Sequence, residues 1–249
     1  MRVLILSDLH ANLQATEAVL DEAGRERWDR ALVLGDLVGY GADPIAVLDI
    51  VRALEPATVI RGNHDKVAAG IDDASTFNIV ARQAAEWTAS LLDADRAAYL
   101  RALPKGPVPI DGLGLSAAIC HGAPFDEDYY VFDADDAARG FAASDAAVVF
   151  FGHTHVQIAF REMRQGVRSA VTPLDEDTIA LAGGARTLVN PGSVGQPRDG
   201  DPRAAYAVLD TATSVLSLRR VVYDISEAQR RIRAAGLHPH LAERLSVGR

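Results

Sequence analysis

Five short apolar runs, each followed by polar residues, recur along the chain. They occupy residues 3–6, 31–34, 57–60, 115–120 and 146–151. Runs of this length are typical of β-strands that are buried on both faces of a sheet. Ligands of open α/β sheets bind beyond the carboxyl ends of such strands. The polar residues after each run are therefore the first candidates for chemistry.

Helical patterns separate the first three runs. Leu13, Leu20 and Ala23 share one side of a predicted helix, and a second helix is predicted to begin at Asp43 and Pro44. Aspartate suits the N-cap position and proline suits the first helical turn. A helix between successive strands indicates a crossover connection, so we expect the first three strands to pair in parallel.

The rest of the chain changes from helix-rich to strand-rich. A helix is predicted to open at Ser75, a second to span residues 95–103 and a last one to begin at Ser226. A strand pair with a tight turn is predicted at residues 110–115, where glycines supply positive φ. Further strands are predicted at residues 156–160, 178–182, 187–189, 204–209 and 215–222, with irregular chain at residues 61–74 and 164–177. Two strand clusters with neighbouring helices predict an α/β fold in which two sheets pack face to face with helices outside.

Composition limits the architecture and the compartment. The chain has 249 residues, 49% of them hydrophobic, and a mean hydropathy of +0.04. This is enough for one large core, so we predict a single domain over residues 1–249. No apolar run reaches the roughly 18 residues of a membrane span, and residues 1–7 are too short to be a signal peptide. The one cysteine, Cys120, lies on a predicted buried strand and fits a reducing compartment, so we expect a cytoplasmic protein without membrane association.

The acidic balance of the chain restricts its partners. The formal net charge is −9. Nucleic-acid binding depends on clustered Lys and Arg that neutralise phosphates. The scattered arginines of this chain are most simply solvated surface residues. We therefore expect no extended nucleic-acid surface, and the oligomeric state stays open.

Metal-type ligands follow all five apolar runs. The segments are Asp8-Leu-His10, Gly35-Asp36, Gly62-Asn63-His64-Asp65, His121-Gly122 and Gly152-His153-Thr154-His155. Carboxylate, amide and imidazole groups together suit borderline divalent ions such as Mn²⁺, Fe²⁺, Zn²⁺ or Co²⁺ better than Ca²⁺. One such segment alone is weak evidence for a metal site, since a lone histidine is usually a loop or surface residue. The five together predict a metal site in which Asp36 is the candidate for a carboxylate shared by two ions.

At these residues the chain resembles the calcineurin-like metallophosphoesterases, with the segments in that family's order and at its wide spacings. The resemblance covers most of the chain. It is strongest to the small bacterial and archaeal phosphodiesterase branch, because residues 7–12, 35–41 and 190–195 are also similar. The resemblance implies an α/β fold that is a four-layer αββα sandwich of two mixed β-sheets flanked by helices. Its metal site would lie at one edge, formed by the loops at strand ends.

The same resemblance implies the ligand set. One metal would be held by Asp8, His10, Asp36 and His155, and the other by Asp36, Asn63, His121 and His153. His64 would face the substrate. Mn²⁺ is the ion expected first, and Fe²⁺, Zn²⁺, Co²⁺ or Ni²⁺ are compatible with these ligands. None of the motif positions is missing, which argues against a member that has lost catalysis.

Such a site has a physical logic of its own. Two dications roughly 3.5–4 Å apart can share Asp36 and a water whose pKa falls enough to give hydroxide near neutral pH. That hydroxide is the expected nucleophile, and no serine or cysteine motif suggests a covalent alternative. His64 follows Asn63 and is expected to protonate the departing oxygen as a general acid.

The remaining candidate residues each have two interpretations. Asp65 could orient an imidazole in a catalytic role, or it could cap a turn. Asn12 could bind a phosphate oxygen, or it could cap the first helix. Arg198, in the loop of residues 190–203, could make a bidentate contact with phosphate.

The predicted function is a metal-dependent phosphoesterase that acts on a small phosphate ester, with phosphodiester hydrolysis first. A phosphomonoesterase, including a protein phosphatase, or a dinucleoside polyphosphate hydrolase would share the same ligands. A metal-bound interaction scaffold is the alternative outside enzymes.

Overall fold

Strands and helices alternate along the chain much as the apolar pattern predicts. The computed structural model describes residues 1–163, 166–169, 178–181 and 184–249. Within these ranges the strands are β1 (Arg2–Leu6), β2 (Arg30–Val33), β3 (Ala57–Val59), β4 (Val108–Ile110), β5 (Ala117–Ile119), β6 (Val148–Phe150), β7 (Gln157–Met163), β8 (Gly166–Ser169), β9 (Thr178–Ala180), β10 (Arg186–Pro191), β11 (Ala204–Asp210) and β12 (Val215–Val221). The helices are α1 (Leu13–Glu26), α2 (Pro44–Ala53), α3 (Asn63–Ala68), α4 (Ile79–Leu91), α5 (Ala94–Ala102), α6 (Ala134–Ala142), α7 (Ile225–Ala234) and α8 (Pro239–Glu243), with a 3₁₀ turn at Arg244–Ser246.

In the described part of the chain the strands form two six-stranded sheets. The first has the order β3-β2-β1-β11-β12-β9 and the second has the order β4-β5-β6-β10-β7-β8. β1 pairs in parallel with β2, and β2 with β3, while β11 is antiparallel to β1. In the second sheet β6 is parallel to both β5 and β10, and the outer pairs are antiparallel. Both sheets are mixed, and the expected parallel pairing of the first three strands is confirmed.

Three apolar clusters stack these elements in layers. The first cluster lies between the sheets and joins Ile5 of β1 to Ile119 and Phe150 of the second sheet. The second joins the other face of β1, through Leu4, to α1, α2, α7 and α8. The third joins the outer face of the second sheet to Phe141 of α6. Because successive side chains of a strand face opposite sides of the sheet, Leu4 and Ile5 enter different clusters. The predicted sandwich of two sheets between helices is confirmed.

Three helices, α3, α6 and α8, lie where the apolar pattern indicates none. α3 occupies part of the predicted irregular stretch 61–74 and has no apolar period, and the Asp65 carboxylate accepts a hydrogen bond from the Gly62 amide at its start. α6 follows Asp133, whose carboxylate accepts hydrogen bonds from the amides of Asp135 and Asp136. An aspartate cap followed by acidic residues is a signal from which α6 could have been predicted.

Other boundaries differ for local reasons. α4 begins at Ile79 rather than at Ser75, because the Asn78 side chain accepts a hydrogen bond from the Ala81 amide and caps the helix. The strand pair predicted within residues 110–115 is formed by β4 and β5, and a longer glycine-containing loop joins them. In the predicted irregular stretch 164–177, residues 166–169 form the edge strand β8, which needs no apolar run. The rest of that stretch, and residue 182 of the predicted strand 178–182, lie outside the described residues.

The structure bears on two expectations from composition, the absence of a membrane-spanning helix and the burial of Cys120. Among the described residues, no helix is both long enough and apolar enough to cross a membrane. Cys120 is fully buried and burial raises the pKa of its thiol, as expected for a core residue. The interpretation of residues 1–249 as one domain stays a prediction.

Truncation of Phe150 tests the packing of the two sheets. Phe150→Ala should lower the free energy of unfolding by about 3–5 kcal/mol, because a fully buried ring is replaced by a cavity. Phe132→Ala, the same truncation at a side chain that is 58% exposed, should cost about 1 kcal/mol or less. Urea denaturation measures both values. Equal losses in the two variants would contradict the assignment of Phe150 to the contact between the sheets.

Candidate metal centre

Candidate ligands from both sheets meet at one edge of the sandwich. The loops after β1, β2, β3, β5 and β6 supply them. Their ligand atoms form two buried groups, of which the first contains Asp8, His10, Asp36 and His155 and the second contains Asp36, His121 and His153. The structure thus brings together residues that are widely separated in sequence.

The first group surrounds a single point. His10 Nε2 lies 3.1 Å from His155 Nε2, 3.4 Å from Asp36 Oδ2 and 4.0 Å from Asp8 Oδ1. His155 Nε2 lies 3.3 Å from Asp8 Oδ1. Ligand atoms that are each about 2.1 Å from one divalent ion are about 3.0–3.4 Å apart in octahedral or tetrahedral geometry. The spacing of this group is close to that of the ligands of one ion.

The second group shares Asp36 and gains an amide. His121 Nε2 lies 3.4 Å from Asp36 Oδ2, 3.2 Å from Asn63 Oδ1 and 3.1 Å from His153 Nδ1. Asp36 Oδ2 is equally close, at 3.4 Å, to His10 Nε2 of the first group. One carboxylate oxygen therefore faces imidazoles from both sides.

Backbone carbonyls orient the four imidazoles. The contacts, 2.7–3.1 Å long, join His10 Nδ1 to Val38 O, His121 Nδ1 to Leu34 O, His155 Nδ1 to Gln196 O and His153 Nε2 to Asp128 O. A carbonyl can only accept a hydrogen bond, so the nitrogen that faces it carries a proton, and in a neutral ring the other nitrogen points a lone pair into the group. Two such lone pairs 3.1 Å apart, as in His10 and His155, repel each other unless a cation lies between them. The residues present therefore fit a divalent metal at each group.

Burial opposes charge on most of these rings. It lowers the pKa of His10, His153 and His155 well below the usual range, which leaves their lone pairs free. Burial also acts to lower the pKa of His121, but the Asp36 carboxylate outweighs it and raises that pKa to about 10. A proton on His121 and a metal ion compete for the same nitrogen. Opposed shifts among packed groups are typical of functional sites.

The backbone is unusual at the same residues. Five of the candidate ligands have φ between 46° and 68°, namely Asp8, His10, Asp36, His153 and His155. Such conformations cost about 1–3 kcal/mol each and persist where the surrounding structure imposes them. Glycine is required where the loops touch, because a Cβ on Gly62 would overlap the Asp36 carboxylate and one on Gly152 would overlap the Ser7 hydroxyl.

Asp65 binds backbone amides. Its Oδ1 accepts hydrogen bonds from the amides of Leu37 and Val38 at 2.9 and 3.2 Å, and its Oδ2 accepts one from the Gly62 amide at 2.9 Å. Burial raises its pKa to about 7, an effect that these amides partly offset. Asp65 therefore holds the turn that follows Asp36 against the start of α3. These contacts fit the interpretation of Asp65 as a turn cap, and its catalytic role stays a prediction.

Asn12 caps α1 and ties down the loop of residues 190–203. Its Oδ1 accepts a hydrogen bond from the Ala15 amide at 3.1 Å, and its Nδ2 donates to Gly195 O at 2.8 Å. Both polar ends are used within the protein, which fits the helix-cap interpretation, and the phosphate contact stays a prediction. The same loop contacts the loop that carries the candidate ligand Asp8. The Ser193 hydroxyl and the Gly195 amide donate hydrogen bonds to Asp8 O at 2.8 and 2.9 Å. The loop of residues 190–203 thus supports Asp8.

His64 lies beside the first group without entering it. Its ring packs on His10, Tyr40 and Phe77 with centroid distances of 4.9, 4.3 and 4.6 Å. Its backbone amide donates to Asp36 Oδ1 at 2.9 Å, and its Nδ1 has no hydrogen-bond partner among the described residues. Burial lowers its pKa to about 4, so the ring is neutral at pH 7. A bound phosphate would raise this pKa, because a nearby negative charge favours the protonated ring.

Arg198 is near the same residues, with its guanidinium 5.6 Å from the centre of the Tyr40 ring. Its Nη2 donates to Gln196 Oε1 at 2.9 Å. Burial raises the pKa values of Tyr40 and Tyr130, and the positive charge of Arg198 opposes both shifts. We call Tyr40, His64, Tyr130 and Arg198 the site mouth.

Three residues at or near the mouth were not predicted as site residues. Tyr40 had a signal, since it lies in the same glycine-flanked turn as Asp36. Tyr130 had none, because no apolar run or motif precedes it. Arg244 lies in the 3₁₀ turn near the C-terminal end, where burial and then the charge of Arg198 lower its pKa to about 10.

A model of the calcineurin-like phosphoesterase superfamily domain matches residues 1–214. The chain belongs to the calcineurin-like phosphoesterase superfamily. The resemblance inferred from the five motifs is confirmed, and so is the general class, a metallophosphoesterase with a buried cluster of histidine and aspartate ligands. All candidate ligands lie within the matched residues.

Relatives of this phosphoesterase come from bacteria and archaea. A metallophosphoesterase from Sphaerobacter thermophilus is 40% identical, with a TM-score of 0.85 over 100% of this chain and 99% of that one. A hypothetical protein from Pyrococcus horikoshii is 19% identical, with a TM-score of 0.79 over 100% of this chain and 98% of that one, and shows the fold alone. An uncharacterised protein from Methanocaldococcus jannaschii is 32% identical over 248 residues, which are 99% of this chain and 98% of that protein.

Replacement of Asp65 distinguishes a role in stabilising the turn from a role in catalysis. Asp65→Asn turns an acceptor into an amide donor that faces backbone donors, so the free energy of unfolding should fall by about 2–3 kcal/mol. Denaturation of the metal-free phosphoesterase at pH 8, above the pKa of about 7, measures this loss. Asp95→Asn, at a side chain that is 72% exposed, should cost about 1 kcal/mol or less. Lost activity with unchanged stability in Asp65→Asn would support the catalytic interpretation.

Proposed function

We propose that the protein is a binuclear metal-dependent phosphodiesterase that acts on a small phosphate ester. The observation that carries the proposal is the position of Asp36 Oδ2, 3.4 Å from an imidazole nitrogen of each ligand group. The preference for diesters rests on residues 7–12, 35–41 and 190–195, which resemble the small bacterial and archaeal phosphodiesterases. We also place the protein in the cytoplasm, which is supported by its single, buried cysteine.

The two ligand groups would each hold one divalent ion. Asp8, His10, Asp36 and His155 would hold the first, and Asp36, Asn63, His121 and His153 would hold the second. Bound divalent ions supply Lewis acidity, which lowers the pKa of water and offsets the charge of a phosphate. Mn²⁺ is our first choice, and Fe²⁺, Zn²⁺, Co²⁺ and Ni²⁺ suit the same mixture of oxygen and imidazole ligands.

Groups of the protein itself would position the ester and handle the proton. Arg198 would bind a phosphate oxygen, because its guanidinium lies at the mouth and the charge of a phosphate complements it. His64 would protonate the departing oxygen, since its ring is next to the first ligand group. Asp36 accepts a hydrogen bond from the His64 amide and so fixes the distance between the His64 ring and the centre.

Three other activities would use the same ligands. A phosphomonoesterase or protein phosphatase and a dinucleoside polyphosphate hydrolase differ from a phosphodiesterase in the groups attached to the phosphorus. A scaffold would bind the ions without hydrolysis. An extended nucleic-acid partner is not proposed, because the net charge is −9.

Metal content and substrate preference test the proposal together. The metal-free protein reloaded with Mn²⁺ should contain two ions per chain, and His153→Ala, which removes one ligand of the second group, should retain one. The native protein should hydrolyse bis(p-nitrophenyl) phosphate faster than p-nitrophenyl phosphate. The variant should lose about 100-fold or more in kcat/KM on the diester, because one ion's charge stabilisation of the transition state is lost. Elemental analysis and steady-state kinetics measure these values.

His240→Ala is the matched control, because His240 is exposed and lies outside both groups. It should retain two ions and full activity. One ion per native chain at saturation rejects the binuclear centre. Two ions without hydrolysis of any ester favour the scaffold, and a faster reaction on the monoester favours the phosphomonoesterase.

The role of His64 is tested by leaving-group dependence. His64→Asn should keep both ions and lose about 100-fold or more in rate on diesters with poor alkoxide leaving groups, the range typical of a lost general acid. It should lose much less on a nitrophenyl diester, whose leaving group hardly needs a proton. A small, equal loss on both esters would instead indicate a structural ring. A large, equal loss with both ions retained would indicate phosphate binding, and loss of one ion would make His64 a ligand.

A further inference from the structure

Two exposed aromatic rings lead outward from the metal centre. The Tyr130 ring stacks on the His153 ring, with centroids 3.8 Å apart and planes inclined by 24°. The Phe132 ring stacks on Tyr130, with centroids 5.4 Å apart and planes inclined by only 3°. Tyr130 and Phe132 are 42% and 58% exposed. We call these two residues the aromatic column.

Exposed aromatic surface is concentrated in this part of the chain. Of the nine exposed large hydrophobic side chains among the described residues, Phe125, Tyr130 and Phe132 come from one eight-residue segment. Exposed apolar residues scattered singly need no explanation, but a contiguous group beside a polar site is typical of a binding surface. Parallel rings that border a ligand centre are suited to receive another planar group.

Ion pairs beneath the column hold its segment in place. Lys66 Nζ lies 2.5 Å from Asp128 Oδ2 and 3.4 Å from Glu127 Oε1, and Arg61 Nη2 lies 3.2 Å from the same Glu127 oxygen. The side chains of Lys66 and Glu127 are only 7% and 13% exposed, so water screens their contact weakly, whereas Asp128 is 47% exposed. Asp128 O also faces His153 Nε2 at 3.1 Å. The segment that leads into the column is thus tied to the centre, and Tyr130 itself contacts His153, which reduces the entropy cost of binding.

We propose that Tyr130 and Phe132 form a stacking platform for a planar aromatic group, such as a nucleobase, of the phosphate ester bound at the metal centre. The platform rests on the proposed function only in that the centre binds the phosphate. A ribose separates a base from its phosphate by several bonds, and the column likewise runs outward from His153 in two ring-to-ring steps. Arg198 complements the phosphate, and the column accepts the base through its π-face. The substrate class is therefore an ester that carries an aromatic group.

Binding of AMP and of ribose 5-phosphate to the Mn²⁺-loaded protein tests the platform, because the two probes share a phosphate on ribose and differ in the base. Isothermal titration calorimetry should give about tenfold tighter binding of AMP, within the range found for one stacked base. Phe132→Ala and Phe132→Leu should both reduce this ratio several-fold, since both variants lose the outer ring of the column and keep only Tyr130. Phe132→Trp should preserve the ratio.

Phe125→Ala is the matched control. Phe125 lies in the same segment, but its ring packs on Tyr129 at 4.9 Å and under the Arg139 guanidinium at 4.5 Å rather than on the column. This variant should keep the tenfold ratio. Equal binding of the two probes by the native protein would overturn the platform, and so would a ratio that survives in both Phe132→Ala and Phe132→Leu or that falls equally in Phe125→Ala.

Hydrolysis of bis(p-nitrophenyl) phosphate, measured on the same samples, separates the two proposals. Hydrolysis without a preference for AMP rejects the platform and leaves the proposed function standing. A tenfold preference for AMP that depends on Phe132, without hydrolysis of any ester, supports the platform and rejects the proposed function.

Discussion

The buried carboxylate of Asp36 is the group on which the rest of the site depends. Its Oδ2 lies 3.4 Å from Nε2 of both His10 and His121, and its Oδ1 accepts a hydrogen bond of 2.9 Å from the His64 amide. A buried charge is costly unless it is paired and hydrogen-bonded. Burial alone would raise the pKa of Asp36, but the neighbouring imidazoles hold it well below the usual range. His121, which the second sheet delivers to this edge, contributes most to keeping the carboxylate charged.

The sandwich meets this requirement through its core. The apolar cluster between the sheets sets how far β1 and β2 lie from β5 and β6, and so sets the distance between the loops that follow them. Close approach of those loops needs glycine at Gly62 and Gly152, and it tolerates strained backbone at the ligands themselves. Backbone groups then complete the support, with carbonyls behind the imidazoles and amides around Asp65. Rigidity at the centre thus comes from hydrogen bonds to backbone groups.

The mouth is built differently from the centre. The centre is buried, polar and closely surrounded by backbone, whereas the mouth combines Arg198 with aromatic rings that are partly exposed. Local positive charge here contrasts with the net charge of −9 of the whole chain. Such a contrast concentrates attraction for anions at one place on an acidic protein. Reaction chemistry and substrate choice can therefore depend on separate sets of residues.

The sequence by itself determined most of the strands, their parallel pairing at the start and the candidate ligands that follow them. Apolar runs and residue types are local properties, so Asp36 and His153 can be recognised as candidate ligands without a structure. Only the tertiary structure decided the contacts of Asp65 and Asn12, because their partners Leu37 and Gly195 lie 28 and 183 positions away. It also decided that α3 forms without an apolar period, and that Tyr130 stacks on His153. Contacts between distant segments depend on how the sheets pack, and no local pattern of residue types encodes them.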